Sequence, residues 1–279
     1  MHEARLDWVR DLASRILDEC GVTKPEEINL PQICERVAHA DIVTSRLDGC
    51  TARAFRLGER GGRSRIRVSD RIRDPGARLF ATGHECGHLV LGHEIPIDGD
   101  ATAFLERACA RKRTKDSDPE REASVFASEL LMPERHVKPR CQTSAVTLAP
   151  VRDIARECRT SALASAMRFI ELTSECCAVV YSEVGRVRWV KRSAKFPGSI
   201  ARGRRLDPGS AAYDYFTRGA VDDTAQELAA DVWLPSHLLD GRRIGLVEHA
   251  AAVPEQGGVF SLLWIPAQDL AHLARSTAS

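Results

Sequence analysis

The chain has 279 residues, of which 43% are hydrophobic, and its 40 basic and 39 acidic side chains leave a net charge of +1. That length allows two or three domains, and the near-neutral balance excludes a function that rests on global attraction to nucleic acid. The opening Met1-His2-Glu3-Ala4-Arg5-Leu6-Asp7 is charged where a signal peptide needs an apolar core, and no apolar run approaches a membrane span, so a cytoplasmic protein is expected.

In chain order, Leu6, Val9, Leu12, Ala13, Ile16, Leu17 and Cys20 recur at helical spacing and Gly21 follows as a stop. A turn-rich link over 25–30 leads into a short helix over 31–39. Strands are expected at 41–46, 51–57 and 63–69, the last two joined by the hairpin residues Gly58-Glu59-Arg60-Gly61-Gly62. Arg65 and Arg67 alternate with Ile66 and Val68, which gives the third strand one wet and one buried face.

The next helix carries the chemistry. Asp74-Pro75 is a helix start and Gly92 a stop, and between them lies His84-Glu85-Cys86-Gly87-His88. Residues four apart share a helix face, so His84 and His88 can offer two imidazoles to one tetrahedral ion. Glu85 stands one step round, where a general base can take a proton from water. Gly83 and Gly87 each cost about 1 kcal/mol relative to Ala inside a helix, which implies a neighbour packed too closely for a Cβ. Cys86 is turned away from the histidine face, so packing is its expected role. The nine cysteines form no Cys-x-x-Cys pair and read as reduced thiols. A small sheet followed by such a helix suits a zinc peptidase, in which the strand's free edge pairs with an extended substrate.

A third ligand is needed. The positions three and six residues after His88 are Leu91 and Glu94, so the pattern that ends in Gly and His there is absent. His93 lies past the stop and reads as a cation at a helix C-terminus. A second helix begins at Asp118-Pro119 and runs to Met132-Pro133, with Ala123, Phe126, Ala127, Leu130 and Leu131 on its apolar face. Glu120 falls about 60° from the centre of that face and Glu122 about 100° away on the other side. Glu120 is therefore the chosen third ligand, with Glu122 in reserve, although acids also favour the first turn of any helix.

His84-Glu85-x-x-His88, followed by Glu120-x-x-Ala123-Ser124-x-x-Ala127-x-x-Leu130-Leu131-Met132-Pro133, resembles the ImmA/IrrE family of metallopeptidases. The resemblance implies a zincin-like α+β domain that binds Zn2+ through His84, His88 and Glu120, with Glu85 as the catalytic base. Ser124 stands where the family usually has Asn, which puts one hydrogen bond behind the ligands in doubt. All three tyrosines, Tyr181, Tyr213 and Tyr215, lie in the last third, so an oxyanion donor in the peptidase part must be His93, His136, an arginine or backbone.

Between the ligand helices, Arg111-Lys112-Arg113-Thr114-Lys115 reads as solvated loop. Helices at 151–157 and 161–172, joined by Cys158-Arg159-Thr160, have the form of a helix-turn-helix, with Arg159 where the turn wants Gly. A connector that packs on the peptidase is the plainer reading. Strands at 176–182, 186–190 and 258–265 and helices at 209–218 and 266–275 make a C-terminal α+β domain, for which the IrrE-type layout supplies a GAF-like analogy. From Gly185 to Arg205 there are eight basic residues and no acid, while Asp207 to Glu255 has nine acids against three arginines. A basic hairpin resting on an acidic neighbour is expected ahead of nucleic-acid contact.

The expected layout is a peptidase domain over 1–140, a helix-turn-helix-like segment over 141–175 and a GAF-like sensor over 176–279. The implied activity is intracellular zinc-dependent endopeptidase cleavage of a helix-turn-helix repressor of the XRE type, which induces a stress or DNA-damage response. The alternative is a DNA-binding transcription regulator with a structural metal site. A structural site needs no Glu85 and is normally closed by four protein ligands.

Overall fold

The computed structural model describes residues 2–47, 49–57, 62–95, 118–239 and 241–274; most of the Gly58–Gly62 turn and the basic run at 111–115 lie outside the described residues. Two compact units emerge, Met1–His136 with Ala155–Ala164 and Val137–Ile154 with Ser165–Ser279. Among the described residues no helix is long and apolar enough to cross a membrane.

In the first unit, α1 (His2–Glu19) buries Leu6, Val9, Ala13, Ile16 and Leu17 along one stripe. Helix α2 (Leu30–Ala38) starts on Asn29, whose side chain accepts from the Gln32 N–H. Strands β1 (Ala40–Ser45), β2 (Ala52–Arg56) and β3 (Ser64–Ser69) form a sheet in the order β1-β3-β2, β1 parallel and β2 antiparallel to β3. The strand that leads into the motif helix is thus central and paired on both sides. Among the described residues β1 and β2 are the two edge strands, and β2 meets the motif helix through Ala54. Ile66 and Val68 are buried together with their partners Ala54 and Ala52.

Helix α3 (Pro75–Val90) is capped by Asp74, which accepts from the Gly76 and Ala77 N–H groups. Helix α4 (Pro119–Leu131) repeats the device, with Asp118 accepting from Arg121 N–H. The two helices approach closely at Gly87, where an added Cβ would lie 3.1 Å from the Ala123 Cα, the Ala123 carbonyl and the Phe126 ring. Gly83 differs. A Cβ there would meet Ala127 and Leu131 at 3.4 Å, an ordinary contact, so close packing does not require this glycine.

Helices α5 (Glu134–Cys141), α6 (Leu148–Cys158) and α7 (Ala162–Leu172) follow. The turn between α6 and α7 takes Arg159 at φ 53, its guanidinium donates to the Ile28 carbonyl, and Thr160 is buried. The backbone of Thr160 and Ser161 comes so near Gly76 that a Cβ there would sit 2.3 Å away. This turn is packed on the N-terminus of α3.

The second unit is built on β4 (Cys177–Glu183), β5 (Arg186–Arg192), β6 (Gln226–Ala229), β7 (Gly245–Val253) and β8 (Gly258–Trp264). They form one antiparallel sheet in the order β5-β4-β8-β7-β6, with α8 (Ala211–Arg218) and α9 (Ala267–Ala274) between and after. Val180, Leu246, Leu263 and Trp233 share its core with Ala211 and Ala212 of α8. The basic stretch is used locally. Arg188 pairs with Glu183 and Lys191 with Glu171, while Arg204 donates to the carbonyls of Asp231, Val232 and Trp233. Carbonyls, more than the expected acidic side chains, therefore meet these cations.

Glu248 of β7 is wholly buried and accepts from Ala211 N–H, Ala212 N–H, the Trp233 indole and the Ser261 hydroxyl. Burial pushes its pKa up, and these four donors pull the other way.

These contacts set the stability of three variants. Gly87→Ala should lower the melting temperature, because overpacking costs about 1–3 kcal/mol, whereas Gly83→Ala should leave it unchanged or raise it through the helix propensity of Ala. Glu248→Leu should lower it strongly, since each donor left unsatisfied costs about 1–3 kcal/mol. Thermal unfolding followed by circular dichroism checks all three.

Candidate metal centre

On α3, His84 and His88 lie one turn apart and point Nε2 at a common spot, 3.0 Å from each other. Glu120, in the first turn of α4, completes the group, with Oε2 3.2 Å from His84 Nε2 and Oε1 3.4 Å from His88 Nε2. The three donor atoms lie within 4.8 Å of one another, and this is the one such group of His, Cys, Asp or Glu among the described residues. Glu122 is placed elsewhere. Two positions on is about 200° round the helix, and there its side chain is 2% exposed and ion-paired to Arg5 at 3.0 Å.

Each imidazole is held from behind. The Ser124 hydroxyl donates to the Glu120 carbonyl at 2.8 Å and meets His84 Nδ1 at 3.2 Å. Its proton is thus engaged, so it accepts from His84 Nδ1–H and leaves a lone pair on Nε2. The contact placed in doubt by the missing Asn is made by serine.

His93 Nδ1 lies 3.0 Å from His88 Nδ1. The chain reaches that point through a Schellman turn, in which His93 N–H bonds to the His88 carbonyl at 3.0 Å and Gly92 N–H to Leu89 at 3.3 Å, with Gly92 at φ 69. Such a turn sets the residue after the glycine against the third residue from the helix end, and here both are histidines. Burial pushes the His93 pKa down. A helix-end cation is therefore the wrong reading of His93, and its inward ring does not serve as an oxyanion donor.

Glu85 reaches the sheet. Its Oε2 accepts the Ala54 N–H of β2 at 2.7 Å, and burial raises its pKa while His88 and His84 oppose the rise. Cys86 is buried, and a hydrogen bond with Cys34, together with burial, keeps it a thiol, in line with packing.

The structure brings His84, His88 and Glu120 together and turns the Glu85 carboxylate to the Ala54 N–H of β2. The sequence points to Ser124, His93 and Glu122 but not to the contacts they make here, with His84, with His88 and with Arg5. A signal for His93 was present, because a Gly at a helix stop implies contact between the residue after it and the last turn.

Residues 38–169 match the family described as the IrrE N-terminal-like domain, Peptidase_M78. Among solved structures, a Mycobacterium tuberculosis transcriptional regulator is similar in fold at a TM-score of 0.60 and 16% identity, over 99% of this chain and 81% of that one. No curated protein matches. The segment that carries both histidines, Glu85 and Glu120 therefore matches an IrrE N-terminal-like peptidase domain, which supports the resemblance of these motifs to the ImmA/IrrE metallopeptidases.

Proposed function

We propose that the protein is an intracellular zinc-dependent endopeptidase that cleaves a helix-turn-helix repressor of the XRE type and so induces a stress or DNA-damage response. One observation carries this reading. The Nε2 atoms of His84 and His88 and the carboxylate of Glu120 are three acceptors that converge within 4.8 Å, beside Glu85. Acceptors facing one another repel unless a cation lies among them, and a His, His, carboxylate set suits zinc while leaving a position open.

When bound there, zinc polarises a peptide carbonyl and lowers the pKa of a water to about 7. Glu85, with one oxygen engaged by Ala54, would take a proton from the attacking water on its other oxygen and return it to the departing amine. The Ala54 hydrogen bond keeps the base from turning away. Strand β2 offers the edge along which an extended repressor segment can pair, using residues on either side of Ala54.

The similar structure that is titled a transcriptional regulator is in keeping with a regulatory substrate. A DNA-binding regulator with a structural metal has less behind it. Arg168, the one cation of α7, is 2% exposed and pairs with Glu171 at 3.1 Å, and the arginines of the basic stretch are largely engaged by carbonyls and carboxylates. For the rest of the chain we keep the division into a peptidase over 1–140, a helix-turn-helix-like connector over 141–175 and a GAF-like sensor over 176–279. The five-stranded antiparallel sheet is compatible with that last part.

The test uses purified protein with zinc and the XRE-type repressor encoded nearest to it. Wild type should cut the repressor at a defined bond. Glu85→Gln should keep its zinc while cleavage falls about 10²- to 10⁴-fold; a fall of less than about tenfold would remove Glu85 from the role of base. Glu120→Gln should lose stoichiometric zinc when metal content is measured after dialysis, and retention of one zinc per chain would exclude Glu120 as a ligand.

A further inference from the structure

Glu122 and His93 lie behind the metal centre and reach it through one ring. We propose that His93, held by Glu122 and Arg5, is a positioning residue for His88 that fixes the tautomer with its Nε2 lone pair turned to the metal; this rests on the zinc-centre reading above.

The Glu122 carboxylate, ion-paired with Arg5 at 3.0 Å, can only accept hydrogen bonds. Its Oε2 lies 3.4 Å from His93 Nε2, so that nitrogen carries the proton. In a neutral ring the other nitrogen, Nδ1, is then an acceptor. It faces His88 Nδ1 at 3.0 Å, which must donate, and the lone pair of His88 is left on Nε2. That atom is the one directed at His84 and Glu120. The reverse tautomer would set two lone pairs against each other at Nδ1 and a hydrogen into the site.

The surroundings keep this order. Side-chain exposures of 2% for Glu122, 10% for His93 and 11% for His88 leave water little access to the chain of bonds. The Schellman bond from His93 N–H to the His88 carbonyl, 3.0 Å long, fixes the two residues to each other through the backbone as well. A carboxylate behind a ligand imidazole raises its basicity and metal affinity. Here the carboxylate acts through a second imidazole. Its counter-ion Arg5 comes from α1, outside the 38–169 segment that matches the family, so the first helix takes part in the centre.

The test compares zinc affinity by chelator competition in the full-length protein, its His93→Phe variant and its His93→Asn variant. Phe keeps the bulk without an acceptor, and affinity should fall about 10- to 100-fold. The Asn side-chain oxygen can take the place of Nδ1, so His93→Asn should recover most of the loss. Equal affinity in all three, or an equal loss in both variants, overturns the proposal, the second result assigning His93 to packing alone. A second measurement needs no variant to fold. Nitrogen-15 shifts of the His88 ring in metal-free protein, recorded above about pH 8 where imidazoles are neutral, should report a protonated Nδ1 and a bare Nε2. The opposite tautomer overturns the proposal. Wild type that takes up no zinc would instead overturn the zinc-centre reading, and with it this one.

Discussion

The metal centre depends on how closely α3 approaches α4 at Gly87. With no side chain there, the backbone of Ala123 can sit against α3, 3.1 Å from where a Cβ would be. That approach sets the height at which Glu120, three residues earlier on α4, meets His84 and His88. A larger residue at either position would push the helices apart, and a carboxylate 3.2 to 3.4 Å from two imidazoles would lose its reach. Glycine costs about 1 kcal/mol in the helix interior. The burial of Phe126, Leu130 and Leu131 on the same side of α4 offsets it, each worth about 1.5–3 kcal/mol when fully removed from water.

Given that approach, His84, His88 and Glu85 are each oriented by a partner of a different kind. A hydroxyl one turn along α4 holds His84, a folded-back helix end holds His88, and the backbone of a strand holds Glu85. Rotamer freedom is thereby removed in the fold itself, before any ligand binds, which is what precise coordination and proton transfer require. The strand's part is economical: one N–H on the open edge of β2 orients the base, and the neighbouring edge positions stay available.

Much of this was legible in the sequence because it is local. Asp-Pro starts announced both ligand helices, and the spacing of His84 and His88 fixed their common face. At 100° per residue, the side of α4 that carries Glu120 could be told from the side that carries Glu122. What escaped notice depends on geometry that spacing does not carry. The contact of Ser124 with His84 joins two helices at positions forty residues apart in sequence. Spacing alone gives His93 the place of a terminal cation, because a Gly at a helix stop does not say that the chain folds back there, as it does at Gly92. Strand β7 was missed for a chemical reason: Glu248 and His249 sit buried in its middle and a run of alanines follows, so the alternation that marks a strand is absent.

Three glutamates show how surroundings separate roles for one functional group. Glu248 is enclosed by four protein donors, two backbone, one indole and one hydroxyl, and every lone pair it offers inward is used. Such a carboxylate clips a helix start and a tryptophan to a sheet, and it has nothing left to bind. Glu85 has one oxygen on a backbone N–H and a pKa raised by burial, which suits a group that must take and release a proton. Glu120 is 76% exposed at its side chain and faces two imidazole nitrogens whose protons are committed on the far side of each ring. Donors all round make a structural carboxylate, one donor makes a proton carrier, and acceptors alone call for a cation. The distinction lies in who holds the neighbouring hydrogens, and Ser124 and His93, which touch no open side of the site, decide it for the third case.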